Sequence, residues 1–219
     1  MKQVKYSIQE NLYKIAFPSH RIKDRTELIL IVLETIRYVL ISEPINDDNR
    51  NMPYLTLYVK DMRRIVFFDY KKYYSIACPF NIYVDHQKPI FCYDDTFIDA
   101  KIISDLVRIF NSEKYYATSW EDFILSIVDN MDITSLWPIV RHLMTYDIGY
   151  VRYDDDEVGF RRAHNPKSHP KYHIDTNISN ESTFKKGLCD SMKDKDFIHL
   201  LDNTQDRWVL HKPSRAQQN

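Results

Sequence analysis

The stretch Tyr54–Tyr93 decides the fold, and its sequence is YLTLYVKDMRRIVFFDYKKYYSIACPFNIYVDHQKPIFCY. Apolar and aromatic runs recur along it, with only a few residues between one run and the next. These runs are Tyr54–Lys60, Arg64–Asp69, Tyr73–Cys78, Asn81–Asp85 and Pro89–Tyr93. Parallel strands need crossover connections of a dozen or more residues, which such short gaps do not supply. The stretch therefore predicts an antiparallel β-meander.

Helices are predicted on both sides of this meander. A capping box at Ser7–Glu10 opens the first helix, and Pro18 closes it. Asp24 caps a second helix that continues to Leu40; its β-branched residues also suit a strand, but their near-helical spacing favours a helix. Three more helices follow the meander, beginning at Asp99, at Ser119 and near Thr134 and ending near Phe110, Met131 and Thr145.

The C-terminal part returns to strands. Two strands, Gly149–Tyr153 and Val158–Ala163, are predicted on either side of an acidic turn, Asp154–Glu157. A short strand at Tyr172–Thr176 and a helix at Asp194–Leu201 follow. Because strands and helices come in blocks rather than in alternation, the order predicts an α+β fold, an antiparallel β-meander packed with several helices.

The length and composition fit one domain. The chain has 219 residues, of which 44% are hydrophobic and 28% charged, close to ordinary globular usage. We expect a single α+β domain over residues 1–212 and a flexible tail over 213–219. The domain is made of N-terminal helices at 7–41, a strand region at 54–93, helices at 99–145 and a strand, loop and helix part at 149–202.

The glycine content excludes several classes of enzyme. The chain has only three glycines, Gly149, Gly159 and Gly187, and they are far apart. Glycine-rich loops that cradle phosphates need two or three clustered glycines. A Rossmann or P-loop core is therefore excluded, as is the nucleophile elbow of α/β-hydrolases. We expect no cofactor.

Charge and cysteine usage indicate the compartment and the kinds of partner. The net charge is −1, so only a local basic patch could contact nucleic acid. Three cysteines without paired spacing argue against a disulfide framework and favour a reducing compartment. There is no signal-peptide core and no apolar run of the length that spans a bilayer. We expect a cytoplasmic protein without a membrane partner.

Histidines concentrate in one segment, FRRAHNPKSHPKYHID, which covers residues 160–175. Histidine suits both proton transfer and metal ligation, and His173 and Asp175 would share one face of a strand. The candidate catalytic residues are His169, His173 and Asp175. The candidate contacts to nucleic acid or to a protein partner are Arg161, Arg162, His164, Lys167, His169, Lys171 and His173.

The sequence leaves three alternatives for the function of this segment. Its histidines belong to an ordinary surface loop, to a recognition loop, or to a metal or catalytic site. The spacing H-x4-H-x3-H matches no established zinc signature, so we expect no zinc site of a standard kind. A catalytic or metal site requires at least two histidines within about 5 Å of each other and of a carboxylate, whereas in an accessory subunit the histidines point apart or lie against an interface.

A second candidate constellation lies in the meander. Asp69-Tyr70-Lys71 ends an apolar run, and Asp61 stands upstream of it. In metal-dependent nucleases a carboxylate at such a position holds Mg²⁺ and a lysine orients the attacking water. Lys71 and its neighbour Lys72 equally fit a hairpin turn, so both interpretations stay open.

The run Arg161, Pro166, His169-Pro170 and His173 resembles the signature of an uncharacterised bacterial family that has a C-terminal Arg–Pro–His-Pro–His segment. Ala163 and Asp175 depart from that pattern, which has an acidic residue and a histidine there. The resemblance implies a place near phage-defence and mobile-element genes.

On this basis we expect an accessory or interaction subunit of a bacterial defence or mobile-element system, with a larger protein partner encoded nearby. Contact with nucleic acid is possible in that role. The alternative is a metal-dependent nuclease or hydrolase that uses His164/His169/His173 or Asp61/Asp69/Lys71.

Overall fold

The computed structural model describes residues 2–22, 24–46, 52–59, 62–111, 135–163, 169–177 and 183–206. The strands in these ranges are β1 (Lys2–Ser7), β2 (Tyr54–Val59), β3 (Arg64–Phe68), β4 (Lys72–Ala77), β5 (Asn81–Asp85), β6 (Lys88–Tyr93), β7 (Thr96–Phe97), β8 (Val151–Asp155), β9 (Tyr172–Asn177) and β10 (Thr183–Leu188). The helices are α1 (Glu10–Ala16), α2 (Arg25–Ile41), α3 (Ala100–Phe110), α4 (Trp137–Thr145), α5 (Glu157–Arg162) and α6 (Asp194–Leu201).

The strands form two antiparallel sheets, which confirms the predicted α+β class. The main sheet has seven strands in the order β1-β2-β3-β4-β8-β9-β10, and a smaller sheet has the order β5-β6-β7. Every pairing within them is antiparallel. The predicted meander is thus divided: its first three runs lie in the main sheet, and its last two form the smaller sheet together with β7.

Apolar side chains cover both faces of the main sheet. On one face, Leu57, Ile65 and Ile76 are in register across β2, β3 and β4 and belong to the larger core, which also contains residues of α1 to α4. On the other face, Phe68 belongs to a smaller core with Phe197 of α6. Burial on both sides explains why the central strands are nearly continuous in apolar residues.

The predicted start of the first helix was wrong. Ser7 is the last residue of β1, and α1 begins at Glu10 with Gln9 as an N-cap that makes no side-chain hydrogen bond. The six residue pairs between β1 and β2 bury Val4 and Tyr6. This pairing and burial outweigh the single hydrogen bond that a Ser7 cap would contribute.

Two predictions near the C-terminus were also wrong. The predicted acidic turn is the end of β8 followed by the N-cap of α5, and the predicted strand Val158–Ala163 is α5 itself. The Asp156 carboxylate accepts a hydrogen bond from the N–H of Gly159, which starts the helix there.

Strand β10 was not predicted. The predicted helix from Ser119 to Met131 lies outside the described residues.

The other helix predictions are confirmed. The side chains of Asp24 and Asp99 accept hydrogen bonds from the N–H groups of Glu27 and Ile102, as expected of N-caps. Pro138 lies in the first turn of α4, and α6 has the predicted bounds. In the described ranges, no helix combines the length and the apolar character needed to cross a membrane.

Candidate functional site

Strands β8, β9 and β10 bring five ionisable side chains onto one face of the main sheet. Asp154 pairs with His173, while Arg152 pairs with Asp175, which in turn pairs with Lys185. Because side chains alternate along a strand, all five point to the same side. We call this group, Arg152, Asp154, His173, Asp175 and Lys185, the strand cluster.

Arg152 links the two carboxylates of the strand cluster. Its Nε lies 2.6 Å from Oδ2 of Asp154, and a terminal nitrogen donates to Oδ2 of Asp175 at 2.7 Å. Asp175 is almost completely buried, with 3% of its side chain exposed. Burial raises the pKa of Asp154, but the charges around it, the Arg152 guanidinium among them, lower it by more, so that the pKa lies below its ordinary value.

His173 lies at the centre of the strand cluster. Its Nδ1 donates to the carbonyl oxygen of Pro170 at 2.8 Å, and its Nε2 accepts from Nζ of Lys185 at 2.9 Å. A carbonyl only accepts and an ammonium only donates, which assigns the tautomer. The same Nε2 lies 3.5 Å from Oδ2 of Asp154 and 3.9 Å from Oδ2 of Asp175.

His169 lies beside His173 and has a carboxylate of its own. The two ring centroids are 5.1 Å apart, and Nε2 of His169 donates to Oδ2 of Asp156 at 2.8 Å. The His169 side chain is 31% exposed, against 1% for His173. Burial raises the pKa of Asp156, but the N–H of Gly159 and the His169 ring lower it by more. Asp156 therefore remains a carboxylate that orients the His169 ring.

Two of the three glycines in the chain make room for His169-Pro170. A Cβ on Gly159 would overlap Oδ2 of Asp156 and Nε2 of His169. A Cβ on Gly187, which pairs with His173, would lie 2.8 Å from Cγ of Pro170. His169 therefore packs directly against the backbone of Gly159, and Pro170 packs directly against the backbone of Gly187.

The structure brings all three candidate catalytic residues together. His169, His173 and Asp175 converge, as the alternation along β9 predicted for the last two. Sequence reasoning missed Arg152, Asp154 and Lys185, which complete the strand cluster, and also Asp156, which orients His169. The positions of Gly159 and Gly187, in a chain with so few glycines, were a signal that could have indicated the site.

The candidate contact residues are divided. Arg161 and Lys171 both pair with the carboxylate of Glu157, at 2.6 and 2.7 Å. The hydrogen bonds from Lys171 and Arg161 lower the pKa of Glu157. Arg162 is exposed. His164 and Lys167 lie outside the described residues.

The Asp69 and Lys71 constellation is a hairpin turn between β3 and β4, one of the two interpretations left open above. The N–H of Asp69 donates to the carbonyl of Lys72, and its carboxylate accepts from the hydroxyl of Tyr13 at 2.9 Å. Asp61 lies outside the described residues. In the described ranges, the group of acidic and histidine side chains close enough to share a metal ion is Asp154, His173 and Asp175.

Comparison with protein-family models, with curated proteins and with solved structures found no match for this chain. The site itself is therefore the basis for a functional conclusion.

Proposed function

We propose that this protein is a hydrolase that cleaves phosphodiester bonds in nucleic acid, with His169 and the strand cluster as its active site. The proposal is carried by the convergence of His169 and His173, whose ring centroids are 5.1 Å apart and which each lie beside a carboxylate. This is the arrangement that distinguishes a catalytic or metal site from histidines that serve separate surface contacts.

His169 has the features of a proton-transfer residue. Its ring is partly open to solvent, and Asp156 holds Nε2. Among the described residues, none forms a hydrogen bond with Nδ1, which leaves that atom available to a substrate. A histidine oriented by a carboxylate can accept the proton of an attacking water or hydroxyl group and return it to the leaving oxygen.

Lys185 supplies positive charge at the same place. Its ammonium donates to His173 and lies 3.6 Å from Oδ1 of Asp175, and a quarter of its side chain is exposed. Negative charge builds up on phosphate oxygens during phosphoryl transfer, and a preorganised cation stabilises it. In this proposal Lys185 is the electrostatic group, and His173 and Asp175 hold it in position.

The accessory subunit expected from the family resemblance is the competing proposal. It needs neither the pairing of His169 with Asp156 nor a buried cluster of charges. A nuclease agrees equally well with the defence or mobile-element setting that the resemblance implies, because invading nucleic acid would be its substrate.

The test is cleavage of fluorescently labelled single-stranded and double-stranded RNA and DNA by the purified full chain, with and without added Mn²⁺. We expect cleavage of at least one of these substrates. The rate should fall by about 10²-fold or more in His169→Gln, which keeps a group able to bond to Asp156 but cannot transfer a proton.

The matched control is His86→Ala, because His86 lies in the turn between β5 and β6 and its side chain is 96% exposed. This variant should keep the rate of the unchanged protein. Absence of cleavage of all the substrates, or equal rates in His169→Gln and His86→Ala, would exclude the proposed function.

A further inference from the structure

The strand cluster has the donor set and the spacing of a metal site. Nε2 of His173 and one carboxylate oxygen each from Asp154 and Asp175 all lie within 4.8 Å of one another. Ligands at about 2.0–2.2 Å from one ion are separated by roughly 3–4 Å, so the distances of 3.5 and 3.9 Å from Nε2 of His173 to the two carboxylates need only small adjustments. The paired strands β8 and β9 supply all three side chains.

A buried carboxylate oxygen in this cluster has no hydrogen bond. Oδ1 of Asp175 is shielded from solvent, and no described residue donates to it. The nearest cation is the Lys185 ammonium at 3.6 Å, beyond hydrogen-bond distance. An unsatisfied buried carboxylate oxygen is costly, and a metal ligand is one of the roles that explains it.

The Lys185 ammonium lies where such an ion would contact His173. Nζ of Lys185 approaches Nε2 of His173 to 2.9 Å, so it uses the lone pair that a metal ion would take. The lysine side chain is long, flexible and 25% exposed, so it can move outward. Arg152 stays paired with Oδ2 of both carboxylates and limits the net negative charge.

We propose that Asp154, His173 and Asp175 bind one divalent transition-metal ion of the Mn²⁺ or Zn²⁺ type, and that the Lys185 ammonium occupies this position when no ion is bound. One imidazole and two carboxylates suit such ions better than Ca²⁺, which prefers oxygen ligands alone. The inference rests on the proposed function in one respect only: the ion would stabilise the phosphate charge in place of Lys185.

The test is direct binding of Mn²⁺ to the full chain without nucleic acid, by electron paramagnetic resonance of the free ion. We expect saturable binding of one ion per chain. Asp175→Asn should abolish it, whereas Lys185→Met should tighten it by about tenfold or more, because it removes a competing positive charge. Lys186→Met is the matched control, since Lys186 lies on the opposite face of β10, and it should leave the affinity unchanged.

A gain of affinity in Lys185→Met cannot result from misfolding, so the proposal does not depend on a loss-of-function variant alone. Absence of saturable Mn²⁺ binding in both the unchanged protein and Lys185→Met would overturn it, as would equal affinities in Lys185→Met and Lys186→Met. Metal binding without nucleic-acid cleavage would support the metal site and remove the proposed reaction. Cleavage that persists with a chelator, together with no metal binding, would do the reverse.

Discussion

Replacement of Arg152 by methionine is expected to lower the free energy of unfolding at neutral pH by about 3 kcal/mol, because it leaves the buried Asp175 and the largely buried Asp154 carboxylates without their shared cation. Asp154 and Asp175 both pair with this guanidinium, and the Asp175 side chain is only 3% exposed. Urea unfolding measures the change. Arg161→Met is the control: its ion pair with Glu157 is exposed, so its loss should leave the free energy of unfolding almost unchanged.

The pH dependence of this destabilisation has a definite sign. The pKa of Asp154 is lowered in the folded protein, so its ionised form contributes stability above the unfolded pKa of about 3.9, and this contribution is lost as the pH falls through the folded value. Without Arg152, the effect of burial on the pKa of Asp154 is less fully outweighed, so this pKa is higher in the variant than in the unchanged protein. The difference between Arg152→Met and the unchanged protein should therefore shrink as the pH is lowered towards 4. A difference that stays constant, or is absent at neutral pH, would contradict the assigned role of Arg152.

Replacement of Gly159 by alanine is expected to separate activity from stability. The added Cβ would overlap the ends of the Asp156 and His169 side chains, both of which can swing away without a backbone shift. Within a helix, alanine is favoured over glycine by about 1 kcal/mol, which offsets the cost of about 1 kcal/mol for losing the N-cap bond of Asp156, so stability should change little. The rate of cleavage should fall by about 10²-fold, because His169 loses its orientation.

The control for Gly159→Ala is Val158→Ala, one residue earlier in α5, where the side chain is 58% exposed. Thermal unfolding and cleavage rates are measured for both variants. Full activity in Gly159→Ala would contradict the role assigned to the His169–Asp156 pair, and a large loss of stability would show that Gly159 serves the fold instead.

The parts of the fold that could be predicted are those set by local chemistry. Asp24 and Asp99 could be predicted as N-caps because each carboxylate bonds to an N–H only three residues further along the chain. The common face of His173 and Asp175 followed from the two-residue period of a strand.

The parts that could not be predicted depend on long-range pairing. Strand β8 pairs with β4 across more than seventy residues, and the run Asp154–Glu157 fits a turn until that pairing is known. Strand β10 carries Lys185 and Lys186 in its centre, which is common at sheet edges but gives little strand signal in a sequence. Sequence reasoning missed Arg152 and Lys185 for the same reason. The pairing of β8 and β10 with β9 brings these two residues to His173.

The most direct test of the proposed active site is a double-mutant cycle between His169 and His173, measured as kcat/KM for nucleic-acid cleavage. If the two side chains belong to one catalytic centre, His169→Gln should cost much less in a His173→Ala background than in the unchanged protein, because groups that act as a unit are strongly non-additive. Independent, multiplying effects of the two substitutions, or unchanged rates in either single variant, would contradict a shared active site.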